Sequence, residues 1–350
     1  MGLGRPLVTP EDLMPEPWEL AVVQKPRGRS AAVLAGVPTI IAGAGERAAW
    51  RFLEFFTANI RNKNTRRAYA HAVRLFCDWL ADKGIDDLAT VNPVMVAAYI
   101  EHLGQELSKP SVKQHLAAIR MLCDYLVTGG ILPFNPASSV RGPKYIIKRG
   151  KTPVLDDDQM EQLLASIETS TLMGLRDRAL ISVMAFNFAR IGATIAMDVG
   201  DYFQQGKKWW FRLHEKGGKH HELPAHHRAE EFMDAYLDGL RSAGAPLGRD
   251  IPLFRTGKGR SGGLGKNRMA VTDAFRMVKR RAKAASLPSS TCNHSFRATC
   301  ITNFRRNGGS RGKAAQLAAH ESERTTRLYD RSDDPVTLDE IERVNYRGDG

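Results

Sequence analysis

Apolar residues between positions 46 and 134 recur every three or four residues, the spacing that places them on one face of a helix. Four such stretches follow one another, and Asn62, Asn92 and Ser108 are polar residues suited to start the last three. The apolar stripes are Phe52, Phe55, Phe56 and Ile60; Tyr69, Val73, Phe76, Cys77 and Leu80; Val94, Ala97, Ala98, Ile100 and Leu103; and Val112, Leu116, Ile119, Leu122 and Leu126. The pattern predicts a compact all-α domain over residues 46–134.

The segments on either side of this domain lack the helical period. Residues 1–45 carry six prolines and scattered glycines, which predicts a poorly ordered or loosely packed arm. Residues 135–153 combine proline and glycine with lysine and arginine. This composition predicts an extended basic linker that could follow a DNA backbone.

The pattern over residues 154–334 predicts a second domain, mostly α with one small antiparallel sheet. The helical stretches are 156–167, 177–188, 271–285, 296–306 and 311–319. The strand candidates are 198–203, 209–214 and 222–223, with turns at 206–208 and 217–219. Helical spacing is predicted for the whole chain after His226. In the tail, residues 335–350, Thr337 and Glu340 form a capping box before an apolar stripe, which predicts a short terminal helix.

The net positive charge of the chain indicates which class of partner it binds. The 350 residues include 51 lysines and arginines against 38 acidic residues, a net charge of +13 that favours a polyanion such as nucleic acid. The four cysteines form no CxxC pair, so we expect neither a disulfide framework nor a zinc knuckle, and a reducing cytoplasm fits. No apolar run approaches the length of a membrane helix, and no membrane partner is expected.

Basic and polar residues at helix starts and on one later helix are the candidate DNA contacts, because free amide groups and the helix dipole add to their charge. An ordinary solvated face is the alternative interpretation. The candidates are Lys63, Arg66, Arg67, Lys109, Lys113, Gln114, Lys144, Arg276, Lys279 and Arg280.

Candidate chemistry begins with His294 and Arg297, which stand three apart and therefore project from the same face of a helix. An imidazole beside a guanidinium suits an anionic oxygen. Downstream, His320 precedes Tyr329 by nine residues. Each residue alone has a structural alternative, such as a half-buried tyrosine or a capping histidine. The cluster of His214, His220, His221, His226 and His227 also leaves a zinc site as a minor alternative.

Together with Arg190 and Lys216, these residues form the ordered set of six that is typical of tyrosine recombinases of the phage integrase family, which the chain resembles. The stretches TRRAYAHAVRLFCDWL and TPVLDDDQMEQLL resemble the openings of that family's two domains. The resemblance implies a helical, SAM-like core-binding domain followed by an α+β catalytic domain, and double-stranded DNA with specific recombination sites as the partner.

The resemblance also implies roles. Tyr329 attacks a DNA phosphodiester and leaves a 3′-phosphotyrosyl link, while Arg190 and Arg297 hold the phosphate oxygens. His294 accepts the tyrosine proton and His320 donates a hydrogen bond to the phosphate. Lys216, or alternatively its neighbour Lys219, protonates the leaving 5′-oxygen. No metal, ATP or other cofactor is expected.

Three positions depart from the family pattern. Ala193 stands where many members have a glutamate, so orientation that an acid would give must come from elsewhere. Ala319 replaces the usual glycine before the late histidine. The context of Arg190, FARIGAT, differs from the usual GLR-like turn.

The biological role stays open between integration or excision of a mobile element and Xer-like resolution of chromosomes or plasmids. A type IB topoisomerase, a non-catalytic DNA-binding regulator and a metal-dependent nuclease stay open as competing functions. The resemblance favours a homotetramer on two duplexes, joined through the C-terminal helix, although that helix could instead dock on its own domain.

Overall fold

The computed structural model of the protein describes residues 36–145, 150–215, 220–258, 262–320 and 322–332. The chain divides after Ile146 into two units, and each has its own hydrophobic core. The predicted fold class is confirmed: the first unit is helical, and the second is mostly helical with a small antiparallel sheet. None of the described helices is both long and apolar enough to cross a membrane.

The described part of the first unit is a bundle whose helix starts follow the predicted signals. Asn62 accepts hydrogen bonds from the N–H groups of Asn64 and Thr65 at 2.9 and 3.1 Å, and Asn92 caps its helix in the same way. The helices are α1 (Thr39–Gly43), α2 (Glu46–Glu54), α3 (Lys63–Asp82), α4 (Pro93–Glu106) and α5 (Lys109–Thr128), with a π-helical turn at Phe55–Asn59 after α2.

The core of this unit extends beyond both predicted boundaries. Val37, Ile40 and Ile41 are buried in the same cluster as the bundle, so residues 37–45 are part of the packed unit and the predicted boundary at residue 46 is too late. On the other side, Ala137 and Val140 are buried there as well, and their carbonyls accept hydrogen bonds from Arg120. Ala137 and Val140, which lie within the predicted linker 135–153, therefore pack with the first unit. The prolines and glycines of these segments predicted loose packing, but the short apolar runs between them are buried against the helical bundle.

The second unit surrounds one long buried helix, α7, with other helices and a three-stranded sheet. Its helices are α6 (Asp157–Ala165), α7 (Leu172–Phe186), α8 (Ile191–Ala196), α9 (His227–Ser242), α10 (Val271–Ala284), α11 (Asn293–Arg306), α12 (Arg311–Leu317) and α13 (Glu323–Tyr329). The first sheet is β1 (Tyr202–Gln205), β2 (Lys208–His214) and β3 (His220–Pro224), antiparallel throughout. Tyr202 pairs with Phe211, and Phe211 pairs with Leu223, so the apolar residues of the three strands share one face.

The expectation of helical spacing throughout the chain after His226 is wrong for one segment. Strands β4 (Arg255–Lys258) and β5 (Gly263–Arg268) pair antiparallel as a second, two-stranded sheet. These strands are rich in glycine and basic residues and bury almost no apolar side chains, so they carry none of the period-2 alternation that identifies a half-buried strand.

Buried charges join α7 to α10 and β4. Asp177 is fully buried and accepts hydrogen bonds from the guanidinium groups of Arg176 and Arg281. Arg176 in turn donates to the carbonyl of Arg255 at 2.7 Å. A buried carboxylate is tolerated here because two cations and several directed hydrogen bonds replace its hydration.

We expect Asp177→Asn to lower the free energy of unfolding by about 3 kcal/mol, because it leaves two buried or half-buried guanidinium groups without their anion. The matched control is Asp238→Asn, which removes an exposed carboxylate paired with Arg241 and should change stability by less than about 1 kcal/mol. Chemical denaturation of both variants measures the difference. Equal, small effects would contradict a structural role for the Asp177 charge.

Candidate active site

Five of the six predicted catalytic residues converge in the second unit, although they come from separate parts of the chain. Arg190 occupies the N-cap position of α8, and His294 and Arg297 lie on α11. His320 follows α12, and Tyr329 is the last residue of α13. The Tyr329 ring lies 6.2 Å from the His294 ring and 5.5 Å from the His320 ring, measured between centroids. The Arg297 guanidinium carbon is 6.0 Å from the Tyr329 ring centroid.

Arg297 is held inside the protein by backbone carbonyls. Its side chain is 1% exposed, and its two terminal nitrogens donate to the carbonyl oxygens of Phe188 and Ala318. Both carbonyls belong to tight turns that contain a left-handed residue, Phe188 itself at φ 55° and Ala319 at φ 45°. The strained turns after α7 and α12 therefore aim their carbonyls at one guanidinium.

Burial lowers the pKa of Arg297 to about 10, and the nearby charge of Arg190 acts in the same direction. The guanidinium remains charged at neutral pH. Its Nε is buried and has no hydrogen-bond partner among the described residues, and the same holds for Nε2 of His320. Buried polar nitrogens without partners are costly, and they are typical of sites that bind a ligand.

Arg190 differs from Arg297 because its side chain is about one-third exposed. One terminal nitrogen donates to Oε2 of Glu215 at 2.5 Å, and the Glu215 side chain is only 7% exposed. Glu215 is not among the residues predicted from the sequence. Two features of the sequence could have drawn attention to Glu215: it directly precedes Lys216, and the usual acid is missing at Ala193. Neither feature predicts that Glu215 contacts Arg190, which lies 25 positions away.

Both histidines of the site favour their neutral forms. Burial lowers the pKa of His320 to about 3, with further lowering by Arg297 and Arg190. The pKa of His294 is lowered by the same causes in the same order, with burial the largest, although the residue as a whole is exposed. Nδ1 of His320 lies 2.8 Å from the hydroxyl of the buried Thr326, which fixes the ring plane.

Tyr329 is fixed through its ring and its backbone. The ring packs against a small hydrophobic cluster that includes Phe188, Cys300 and Ala318, and it stacks on His320 with a 17° angle between the planes. Thr302 of α11 donates to the carbonyl of Tyr329 at 3.3 Å. The nucleophile candidate is therefore held against the helix that carries His294 and Arg297.

Several predicted residues lie elsewhere or cannot be placed. Lys216 and Lys219 lie outside the described residues, as do the tail helix predicted within 335–350 and most of the predicted arm. Of the histidine cluster, His214 lies 2.7 Å from an oxygen of Asp201 and His221 lies 3.0 Å from the carbonyl of Leu317. Within the described ranges, no three His, Cys, Asp or Glu side chains are grouped so that they could hold a metal ion.

The candidate DNA contacts lie on the surface, and some are engaged with protein groups. Arg66 donates to the carbonyl of Ile60, and Lys279 donates to the carbonyl of Ser289, so both are partly occupied. Arg276 lies 3.5 Å from Asp273. The exposed candidates are Lys63, Arg67, Lys109, Lys113, Gln114, Lys144, Arg276 and Arg280.

Comparison with known proteins identifies the family of both units. The model of the phage integrase family matches residues 153–335, and that of the phage integrase N-terminal SAM-like domain matches residues 51–130. The chain is 26% identical over 270 residues to the tyrosine recombinase XerD of Listeria monocytogenes serotype 4b, covering 76% of this chain and 87% of the relative.

Two solved structures share the fold. XerH bound to its difH substrate in a pre-cleavage complex has a TM-score of 0.64 at 17% identity, covering 87% of this chain and 95% of that one. A lambda integrase tetramer bound to a Holliday junction has a TM-score of 0.61 at 15% identity, covering 89% and 91%. At these identities the likeness establishes the fold.

The left-handed turn before His320 generates a stability prediction. We expect Ala319→Gly to raise the free energy of unfolding by roughly 0.5–1 kcal/mol, because glycine adopts the φ of 45° without the steric cost that alanine bears. The control is Ala318→Gly in the same turn, where φ is −84° and a buried methyl group would be lost. This variant should be destabilised, and the opposite order in thermal or chemical denaturation would show that the turn bears no strain at Ala319.

The low pKa of His320 generates a prediction about pH. The unfolded chain takes up a proton near pH 6.5, whereas the folded chain does so only near pH 3, so the folded state loses stability as pH falls through this window. One such group contributes at most about 1.4 kcal/mol per pH unit. Between pH 7 and pH 4.5, wild type should therefore lose more unfolding free energy than His320→Gln. Parallel curves for the two proteins would show that His320 titrates normally.

Proposed function

Because the chain belongs to the phage integrase family and is a tyrosine-type site-specific DNA recombinase, we propose that Tyr329 is the residue that breaks the DNA strand. The phenolic oxygen attacks the phosphorus of one phosphodiester, and the bond from phosphorus to the 5′-oxygen breaks. The strand then carries a 3′-phosphotyrosyl link and a free 5′-hydroxyl. Attack by a 5′-hydroxyl on this link reverses the step, so rejoining needs no ATP.

The observation that carries the proposal is the position of the Tyr329 ring, whose centroid lies 5.5 to 6.2 Å from the Arg297 guanidinium and from both histidine rings. Charge builds on the non-bridging oxygens as the phosphodiester is attacked, and fixed cations stabilise that charge without having to reorganise. Arg297 is fixed by two backbone carbonyls, and Arg190 supplies a second, more exposed guanidinium. Together they provide planar forks that match phosphate oxygens.

The proton transfers are divided between the two histidines and a lysine. His294 accepts the proton of Tyr329, and its lowered pKa keeps it neutral and able to do so at pH 7. His320 donates from Nε2 to a phosphate oxygen while Thr326 occupies Nδ1. Lys216 protonates the leaving 5′-oxygen, with Lys219 as the alternative acid. This lysine assignment rests on the family resemblance.

DNA binding is assigned to basic residues of both units. In the first unit these are the exposed residues at the starts of α3 and α5 together with Lys144, and in the second they lie on α10. Phosphate contacts of this kind position the duplex and make affinity depend on salt. The free cysteines of the described chain are compatible with a proposed cytoplasmic location.

We propose integration or excision of a mobile element as the biological role, with Xer-like resolution as the second candidate. The fold likeness to lambda integrase supports the first, and the likeness to XerD supports the second. A homotetramer on two duplexes is proposed from the tetrameric assembly of the lambda integrase structure. The C-terminal residues 335–350 are the proposed connection between subunits.

A suicide substrate tests the nucleophile. The recombination site is first selected from random duplexes that the protein retains, and is then nicked so that the short 5′-hydroxyl fragment diffuses away after cleavage. Wild type should form a covalent adduct on a denaturing gel, whereas Tyr329→Phe should form none and still bind DNA. Tyr125→Phe, in the helical unit, should retain the adduct.

An adduct that persists in Tyr329→Phe would reassign the nucleophile. The same protein preparations also distinguish a recombinase from a type IB topoisomerase, since a topoisomerase would relax supercoiled plasmids that lack the selected site.

A further inference from the structure

Arg190, the partly exposed arginine of the proposed site, has an acidic partner that the family pattern does not supply. Arg190 donates to Glu215 at 2.5 Å, across 25 positions of sequence. Among the described residues, Glu215 is the one acidic side chain paired with Arg190. The residue one turn further along α8, where the family acid would lie, is Ala193, which is buried in the hydrophobic core.

Glu215 is itself held in place by the sheet. It directly follows β2, and the preceding residue, His214, contacts Asp201 at 2.7 Å and pairs with His220 on β3. The Glu215 side chain is nearly buried although its residue lies at the end of a strand. The carboxylate is therefore presented from a fixed position.

An arginine that is one-third exposed needs such a partner more than a buried one does. Its long side chain has many rotamers, and each rotamer moves the guanidinium relative to the phosphate. Arg297 is restrained by two carbonyls, whereas the described contacts restrain Arg190 through Glu215. The bond uses one terminal nitrogen, so the other N–H donors of Arg190 remain able to bind phosphate oxygens.

We propose that Glu215 is a positioning residue that holds the Arg190 guanidinium at the scissile phosphate, in place of the acid missing at Ala193. The inference rests on the proposed function of Arg190.

Because Glu215 is negatively charged, a positioning role and a purely structural role predict different effects on DNA affinity. A carboxylate near a bound phosphate repels it, so its removal should leave DNA affinity unchanged or stronger. Loss of orientation should at the same time slow cleavage, because small misplacements of a catalytic group are costly in rate. A residue that only supports folding would instead lower stability and affinity together.

The test compares Glu215→Gln with Glu222→Gln in single-turnover cleavage of the suicide substrate at saturating DNA. Glu222 is the matched control, because it also pairs with an arginine, Arg212 on the neighbouring strand, but lies outside the site. Glu215→Gln should cleave roughly tenfold to a hundredfold more slowly, with wild-type melting temperature and no loss of DNA affinity. Glu215→Asp should recover part of the rate, and Glu222→Gln should match wild type.

A double-mutant cycle with Arg190→Lys shows whether Glu215 acts through Arg190. Arg190→Lys retains a cation but not the planar fork, so the effect of Glu215→Gln should largely vanish in that background. Additive effects in the cycle, or a wild-type rate for Glu215→Gln, would overturn the proposal. If Glu215→Gln is unfolded, the cycle is repeated with Glu215→Asp in its place. Additive effects or a wild-type rate for that variant would again overturn the proposal.

The proposed function has its own separate outcome. Absence of a covalent adduct with wild-type protein would reject the strand-cleavage assignment before any Glu215 variant is compared. A wild-type adduct with no effect of Glu215→Gln rejects the positioning role alone.

Discussion

The burial of the Arg297 guanidinium between two backbone carbonyls is the interaction on which the site depends. It links the turn after α7 to the turn after α12, and therefore brings Arg190 and His320 to the helix that carries Arg297 itself. Among the described residues, no carboxylate is bonded directly to this guanidinium, and a buried cation held by carbonyls keeps much of its field for a ligand. The same field, added to burial, keeps the neighbouring histidines neutral.

The two arginines of the candidate site differ in burial and in how they are held. Arg297 is fixed and desolvated, which suits the stabilisation of developing charge. Arg190 is closer to solvent, and it donates to Glu215, the acidic residue that follows β2. The three-stranded sheet contributes Tyr202, Phe211, Leu213 and Leu223 to the core of the second unit, and Glu215, the residue after its central strand, reaches the candidate active site.

Much of the fold and of the site was predictable from the sequence because both leave local signals. The asparagine caps at positions 62 and 92 specify helix starts, and the order from Arg190 to Tyr329 identified five residues that the structure brings together. The hairpin of β4 and β5 was missed because its strands bury almost no apolar side chains. Glu215 was missed because its partner is distant in sequence, and the boundary at residue 46 was misplaced because Val37 and Ile40 lie among prolines and glycines.

Thr302 connects the backbone on the C-terminal side of Tyr329 to the start of the second unit. Its hydroxyl donates to the Tyr329 carbonyl and accepts from the N–H of Arg331, whose side chain in turn donates to the carbonyls of Gly150 and Thr152. These hydrogen bonds tie the backbone on the C-terminal side of Tyr329 to α11 and to residues 150–152 at the start of the second unit. Any force that pulls on Arg331 is therefore shared with these two anchors instead of acting on the tyrosine alone.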